Sequence, residues 1–476
     1  MVSPPAVGGG ARPVTPLPVG FGLVLDRGVR RCRGGRVLVG GAPARALRLT
    51  SRGCAAIEEL RSGDAASEAA RTLGRRLVDA GMAHPRPGWA DAMPGPPAPP
   101  DATVVVPVRD RAAALDRCLA ALDEGVPVVV VDDGSADAAA VRAVCRRHGA
   151  ALVRRESAGG PGAARNAALP AVASELVAFL DSDCIPEPGW LAVTAAHFAD
   201  PVVGAVAPRV RPPAAVRDAP VRDRYAAARS PLDMGPHERR VVPGGPVAYV
   251  PAAAVVVRRR ALAPGFDQGL RYGEDVDRVW RLHDAGWRVR LEPRATVRHA
   301  EPGSWPALLA RRRRYGTAAA PLARRHPRRL APLVARPGPA AATALLLARR
   351  PRPAALVAAV QTALVAGRLR RAGVPPGQAP ALSARAVADT FVGIGRAATM
   401  LAAPVLLAAL CSRRGRAPAL ALLAAPPLQE WARRRPPLDP LRWAAACIAD
   451  DVSYGLGVWA GCIEHRTAAP LKPAWR

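Results

Sequence analysis

The hydrophobic pattern is clearest between residues 101 and 183, where short apolar runs alternate with segments of helical periodicity. Apolar residues such as Leu115 and Leu119 recur at helical spacing, and a second helix is predicted over about 137–148. Continuous β-branched strands that alternate with helices are typical of a parallel sheet buried on both faces. We therefore predict an α/β domain with a Rossmann-like, mostly parallel sheet. The predicted strands lie at 103–107, 127–131, 151–153 and 176–180.

Carboxylates follow several of these predicted strands at the point where each strand ends. Ligands of parallel sheets bind at the carboxyl ends of the strands, so these side chains are expected to converge. In Asp181-Ser182-Asp183, the two carboxylates leave the strand end in the same direction, because side chains alternate along an extended segment. Such a pair suits Mg²⁺ or Mn²⁺ together with substrate phosphates. The strand-end carboxylates are Asp110, Asp132, Asp133, Asp181 and Asp183.

Five short segments in a fixed order carry a family resemblance. They are Val-Val-Val-Pro-Val-Arg-Asp at 104–110, Val-Asp-Asp-Gly-Ser at 131–135, Gly-Pro-Gly-Ala-Ala-Arg-Asn at 160–166, Phe-Leu-Asp-Ser-Asp at 179–183 and Gly-Glu-Asp-Val-Asp at 273–277. Over about residues 101–305 the chain resembles the inverting family-2 glycosyltransferases of the GT-A fold. With the segments at 271–287 and 450–462, it looks like the glycosyltransferases of the mycofactocin system. That resemblance implies stepwise attachment of β-linked glucose to a peptide-derived redox cofactor, with UDP-glucose as the donor.

The resemblance also implies a donor site on the strand ends. Asp133 matches the acidic residue that recognises the uracil or the ribose, and Pro107 shapes the strand exit beneath the base. Arg165 and Asn166 belong to the loop that closes over the nucleotide. Asp181 either contacts the metal through water or holds the ribose hydroxyls. Where the family usually has an asparagine just upstream of that loop, this chain has alanine.

Transfer from a sugar nucleotide needs a divalent cation, Mn²⁺ or Mg²⁺, because negative charge develops on the leaving diphosphate. Asp183 is the best candidate for direct ligation, and the resemblance makes His299 the third ligand. The acceptor hydroxyl must lose its proton to a carboxylate on the opposite face. Asp275 matches the family's base, while Glu274 and Asp277 are rival carboxylates. In isolation, such residues could simply complement a helix N-terminus.

The pattern along the chain predicts four segments. The first, a small unit of short strands and helices with Thr50 or Ser51 as a helix N-cap, resembles the PqqD-like, winged-helix peptide-recognition domains. A purely structural appendage is the alternative. A Pro/Gly-rich linker follows, since such a stretch joins neither a helix nor a central strand. The predicted segments are 1–84 (PqqD-like), 85–100 (linker), 101–330 (GT-A domain) and 331–476 (helical).

The C-terminal segment is rich in alanine and leucine, interrupted by arginine and proline. The stretch at 397–411 is apolar but only borderline in length for a span. We therefore predict a membrane-apposed helical region on the cytoplasmic face, with one or two spans or a soluble bundle as alternatives. One of the arginines at 311–314 could reach the diphosphate, or all could form a solvated helix face. The Q-x-x-R-W motif of processive enzymes is missing there.

Composition narrows the function classes. The formal net charge is +30, yet Lys472 is the only lysine and aromatic residues make up only 4%. With few stacking platforms, a nucleic-acid partner is not predicted, and an anionic membrane or a phosphate-bearing substrate accounts for the charge. The eight cysteines form no C-x-x-C pair, which favours reduced thiols. Residues 1–20 lack the pattern of a signal peptide.

Three other functions stay open from the sequence. A nucleotidylyltransferase would keep the fold, but it needs a Gly-rich Lys/Arg signature that the segment at 107–110 lacks. A family-2 enzyme could instead act on a lipid or a cell-envelope polysaccharide. A non-catalytic peptide-binding scaffold would tolerate loss of Asp183 and Asp275.

Overall fold

A computed structural model describes residues 14–63, 67–88, 100–122, 125–216 and 218–475. The chain forms two compact units. The first unit comprises Met1–Pro213 and Ser230–Ala300, and the second comprises Ala214–Arg229 and Glu301–Arg476. The division therefore lies near residue 300, about thirty residues before the expected end of the GT-A segment.

Strands and helices are numbered in chain order. The strands are β1 (Phe21–Leu25), β2 (Arg30–Cys32), β3 (Val37–Gly40), β4 (Arg45–Arg48), β5 (Ala83–Pro87), β6 (Ala102–Val108), β7 (Val128–Asp133), β8 (Ala151–Arg155), β9 (Leu176–Leu180), β10 (Cys184–Pro186), β11 (Val203–Arg211), β12 (Arg239–Val241), β13 (Ala254–Arg258), β14 (Arg288–His299), β15 (Val334–Ala335) and β16 (Ala474–Trp475). The helices are α1 (Ser51–Ser62), α2 (Glu68–Asp79), α3 (Ala112–Ala120), α4 (Ala138–Arg147), α5 (Pro161–Ala168), α6 (Trp190–Ala195), α7 (Val221–Ala228), α8 (Glu274–Asp284), α9 (Trp305–Thr317), α10 (Ala319–Arg325), α11 (Pro337–Leu347), α12 (Pro351–Arg371), α13 (Ala379–Leu410), α14 (Arg416–Arg434) and α15 (Pro440–Glu464).

The central sheet of the first unit has the strand order β10-β14-β11-β13-β9-β6-β7-β8, with β12 paired to β14. Strands β9, β6, β7 and β8 run parallel to one another, as the apolar runs predict. The side chains of β9, β6 and β7 are almost all buried, because helices cover both faces of a parallel sheet, whereas β8 at the end of the strand order is partly exposed. The carboxyl ends of these strands therefore share one edge of the sheet.

The other half of the sheet brings later segments to the same strands. β13 pairs antiparallel with both β9 and β11, and β14 runs parallel to β11. The last residue of β14, His299, pairs with Cys184 at the start of β10. β10 begins directly after the Asp181-Ser182-Asp183 segment, so this pairing places His299 beside that segment.

The N-terminal part of the first unit contains a two-stranded sheet, β1-β5, and a three-stranded sheet, β2-β3-β4, with helices α1 and α2. The Thr50 hydroxyl accepts a hydrogen bond from the Gly53 amide, which confirms the predicted N-cap. Residues 83–87 form β5, so the linker predicted from residue 85 begins only after that strand. Most of that linker, 89–99, lies outside the described residues.

Ion pairs fix the N-terminal part to the central sheet within this unit. Arg75 and Asp200 are both buried, and their side chains lie 2.7 Å apart. Arg288, the first residue of β14, donates two hydrogen bonds of 2.6 Å to Asp79. Paired guanidinium and carboxylate groups with two parallel hydrogen bonds hold a defined geometry. The N-terminal part is therefore held against the sheet at fixed points.

The second unit is helical. Among the described residues, one helical stretch, Pro376–Leu410, is long and apolar enough to cross a membrane; its mean hydropathy is 1.7, and 17% of its apolar window is buried. Several large apolar side chains on α12 are exposed instead of packed in the core. Residues 302–429 hold twenty arginines and a single acidic residue, Asp389.

Close backbone packing explains the glycine-rich segment near the C-terminus. Helix α15 lies so near α9 that a Cβ atom on Gly457 would stand 1.9 Å from the Arg313 carbonyl oxygen. The aspartates just upstream, Asp450 and Asp451, are buried and both receive hydrogen bonds from Arg229, at 2.7 and 2.9 Å. The motif at 450–462 thus consists of a buried charge network followed by a small-residue helix face.

We predict that Gly457→Ala destabilises the protein by about 1–3 kcal/mol, because the added methyl group forces the two helices apart. Gly367→Ala is the matched control. Its Cβ has nothing within 4 Å on helix α12, so the substitution should stabilise that helix by up to about 1 kcal/mol. Thermal unfolding of the two variants measures both effects. Equal melting temperatures for Gly457→Ala and the wild type would contradict the packing.

Candidate active site

The shared edge of the sheet brings together the carboxylates that the sequence singles out. Asp133 is the last residue of β7, and Asp181 and Asp183 follow the end of β9. Pro107 is the second-to-last residue of β6 and pairs with Val131 of β7, one residue before the two aspartates. The predicted placement at strand ends holds for all of them.

Asp183 and His299 lie together. The His299 Nε2 atom is 3.5 Å from Asp183 Oδ1, and the guanidinium of Arg111 forms an ion pair with Asp183 Oδ2. The other imidazole nitrogen of His299, Nδ1, is buried and has no hydrogen-bond partner among the described residues. A carboxylate, an imidazole and a neighbouring cationic group therefore meet at one point.

This pair fits a divalent cation. A carboxylate oxygen and an imidazole nitrogen are ordinary ligands for Mn²⁺, and such cations commonly take further ligands from diphosphate and water. Arg111 shows that Asp183 attracts positive charge here. Within the described ranges, no group of three or more His, Cys, Asp or Glu residues forms a complete protein-only cage. The pair would therefore need ligands from a bound substrate.

The end of β7 is held by backbone amides and arginines. Asp133 accepts hydrogen bonds from the amides of Gly159 and Gly160, at 3.0 and 2.8 Å, and pairs with Arg155. Asp132 is fully buried and accepts a hydrogen bond from the Ser135 amide at 2.9 Å, so it caps the turn that follows β7. Asp133 therefore anchors the loop that precedes α5.

Arg165 lies in the interior of the site. The residue is 2% exposed, and its guanidinium donates hydrogen bonds of 2.8 Å to Asp181 Oδ1 and to Glu274 Oε1. Attraction by these two carboxylates outweighs the desolvation that would lower its pKa, so the pKa of Arg165 is raised. The sequence predicts a donor contact for Arg165. In the structure its partners are these two protein carboxylates.

Three carboxylates stand in the first turn of α8, and their partners distinguish them. Asp277 is buried and accepts a 2.7 Å hydrogen bond from Arg281, while Glu274 is held by Arg165. Asp275 is half-buried, and no described side chain forms an ion pair with it. Burial and then the charge of Glu274 raise the pKa of Asp275 to about 7. Of the three, Asp275 alone combines an unpaired carboxylate with a pKa suited to proton transfer near neutral pH.

The sequence missed two arginines of this site, Arg111 and Arg155. Each follows from topology: Arg155 ends β8 in parallel register with Asp133, and Arg111 stands three residues after the end of β6. Parallel pairing of consecutive predicted strands would have placed Arg155 beside Asp133. No local signal identifies Arg111 as a partner of Asp183, because 72 residues separate them along the chain.

Comparison with known proteins agrees with this geometry. Residues 103–265 match the model of the family Glycosyl transferase family 2. The sheet, its edge carboxylates and this match define a family-2 glycosyltransferase with the GT-A fold. The chain is 39% identical over 484 residues to the "Pre-mycofactocin glycosyltransferase" of two Mycobacterium tuberculosis strains, CDC 1551 and H37Rv. The alignment covers 97% of this chain and 99% of those relatives.

The chain therefore belongs to the mycofactocin-system glycosyltransferases of family 2. Among solved structures, it resembles a mannosyltransferase from Pyrobaculum calidifontis in complex with GDP-mannose and Mn²⁺. That likeness has a TM-score of 0.39 and 22% identity, and it covers 70% of this chain and 88% of the other.

Proposed function

We propose that this glycosyltransferase is metal-dependent and inverting, and that it transfers glucose from UDP-glucose to a mycofactocin-type, peptide-derived redox cofactor. The observation that carries the proposal is Asp275. It is an unpaired carboxylate with a pKa of about 7, on a helix whose first residue is joined to Asp181 by one guanidinium. The acceptor class comes from the printed name of the relatives that match nearly the whole chain.

The residues act from two sides of the reacting carbon. On the donor side, Asp133 and Asp181 stand at strand ends, where nucleotides bind in sheets of this kind. On the acceptor side, Asp275 takes the proton from the attacking hydroxyl as the new glycosidic bond forms. Attack from the face opposite the leaving diphosphate inverts the configuration at the anomeric carbon.

Asp183 and His299 would hold the divalent cation. When bound, the cation neutralises negative charge that builds up on the diphosphate as it leaves. Arg111 can withdraw from Asp183, because its side chain is 60% exposed. The exchange replaces one positive group with another, so Asp183 stays compensated in both states.

The experiment that tests the function is mass spectrometry of a mycofactocin-type acceptor after incubation with the protein, Mn²⁺ and a panel of nucleotide sugars. We expect addition of hexose from UDP-glucose. The value of kcat/KM should fall about tenfold per pH unit below pH 7 and level off above it, since the deprotonated base is the active form. Asp275→Asn should abolish transfer but keep UDP binding.

Asp284→Asn, at the exposed end of the same helix, is the control and should retain full activity. Near-full turnover by Asp275→Asn would show that Asp275 is not the base. Activity on a lipid or polysaccharide acceptor alone would replace the proposed acceptor class. Absence of transfer from every donor to any acceptor, with function in vivo preserved in Asp275→Asn, would favour the non-catalytic scaffold.

The metal pair makes a separate prediction. Asp183→Asn and His299→Ala should each weaken Mn²⁺-dependent UDP binding about 10-fold or more, and chelation should remove that binding from the wild type. Isothermal titration calorimetry measures the affinity. The matched controls are Asp116→Asn and His148→Ala, a surface Asp–His pair 2.8 Å apart, which should leave it unchanged. An affinity for UDP that changes neither with Mn²⁺ nor in Asp183→Asn would contradict this metal site.

We also propose that the second unit rests on an anionic membrane surface on the cytoplasmic side. Leu356, Val360 and Leu364 are spaced one turn apart on α12 and are 68%, 55% and 61% exposed. Arginines lie at both ends of that helix, which has no acidic residue. An exposed apolar stripe with arginines at its ends suits the membrane interface, and the cytoplasmic leaflet carries the matching negative charge.

Flotation with vesicles tests this surface. The protein should float with vesicles that contain phosphatidylglycerol, float poorly with pure phosphatidylcholine vesicles, and detach in high salt. Replacing Leu356, Val360 and Leu364 together by serine should abolish flotation. Val216→Ser is the control, since Val216 lies outside α12 and is 73% exposed. Failure to bind anionic vesicles would refute the surface, and binding that resists salt would indicate a spanning helix instead.

A further inference from the structure

Arg165 joins two parts of the site that are far apart in the chain. Sixteen residues separate it from Asp181, and 109 separate it from Glu274. One guanidinium spans both carboxylates with hydrogen bonds of 2.8 Å, and its Nε atom has no partner among the described residues. The group also lies over the Phe266 ring, 5.4 Å from its centre. Arg165 is too deeply buried to serve as a surface charge.

The next residue, Asn166, fixes the loop before α8 through contacts with Phe266. The Asn166 amide group donates to the Phe266 carbonyl oxygen and accepts from the Phe266 amide, both at 2.8 Å. Phe266 in turn packs edge-on against Phe179 of β9, with ring centres 5.2 Å apart. Helix α5 therefore fixes both the loop that leads to α8 and the first residue of α8.

We propose that Arg165 is a positioning residue that holds the helix carrying Asp275 at a fixed distance from the strand-end carboxylate of Asp181. The donor side of the site and the base then move as one body. This inference takes Asp275 as the base and so rests on the proposed function. It differs from a donor contact, because both arms of the guanidinium bind protein carboxylates.

The residue type follows from the geometry. Two carboxylates on different elements need a donor with two arms at a fixed angle and a permanent charge, which arginine has and lysine lacks. Without that charge, Glu274 would face Asp275 uncompensated, and like charges raise the pKa of a carboxylic acid. The groups that face Asp275 are Glu274 on its own helix, Arg165 on α5, and the backbone amides of Val276 and Ala252.

Three variants test the inference. Arg165→Gln should lower kcat about 100-fold, the cost of misplacing a reacting group by about 1 Å, with a smaller effect on the KM for the donor. It should also move the acidic limb of the pH–rate profile upward, because Glu274 loses its counter-charge. Arg165→Lys should restore the position of the limb but not kcat. Glu274→Gln, which keeps a hydrogen-bonding group and removes the charge, should move the limb downward.

Arg75→Gln is the matched control, since Arg75 is an equally buried arginine with one carboxylate partner in the same unit. It should lose stability while the pH limb stays in place. If Arg165→Gln kept the wild-type kcat and limb, or if Glu274→Gln left the limb unmoved, the inference would be wrong. Turnover by Asp275→Asn would instead defeat the proposed base, so the two failures are distinguishable.

A crystal structure of Arg165→Gln adds a readout that needs no substrate. The first turn of α8 should shift away from Asp181 by on the order of 1 Å. A first turn that stays in place would overturn the inference whatever the kinetics show.

Discussion

The candidate active site depends on how the negative charge of the carboxylates at one edge of the central sheet is neutralised. Several negative groups close together repel one another and lose hydration, which opposes folding. Arg165 offsets this at Asp181 and Glu274, and Arg111 offsets it at Asp183. Asp275 is left without such a partner. Its pKa of about 7 lies above the ordinary value of 3.8, so the folded state holds this proton more tightly, and the stability that it contributes at low pH is lost as the pH rises from about 4 to about 7. That cost is expected of a group kept ready to accept a proton.

Ion pairs between arginine and aspartate also hold other parts of the molecule together. In the first unit, Arg75 and Asp200 are a buried pair that ties the N-terminal part to the central sheet. In the second unit, Arg229 holds Asp450 and Asp451 of helix α15. Arginine suits these places because its charge persists when it is buried and its fork matches a carboxylate. Part of the large positive charge is therefore structural. In the second unit, residues 302–429 hold twenty arginines against the single acidic residue Asp389, and this excess is the positive charge available to the proposed membrane surface.

The sequence predicted the parallel strands, the carboxylates at their ends and the family, because these depend on local patterns and short ordered motifs. The N-cap at Thr50, one of the two residues predicted for it, was identified for the same reason. The contact between Arg165 and Glu274 was not predicted, because 109 residues separate them along the chain and no periodicity encodes such a contact. Strand pairing that brings β13 beside β9 and β14 beside β11 is equally non-local.

The motif at 160–166 shows how one short segment can serve structure and chemistry together. Gly160 and the preceding Gly159 come just before α5, and their backbone amides bind Asp133, so the start of the motif fixes the end of β7. Arg165 then reaches Asp181 at the end of β9, and Asn166 fixes the loop before α8. One short helix, α5, with the residues just before it, thus contacts three elements that carry the site: the end of β7, the end of β9 and the loop before α8. A donor contact would explain the arginine alone. A structural role explains both neighbours on α5: Arg165 links Asp181 to Glu274, and Asn166 fixes the loop before α8.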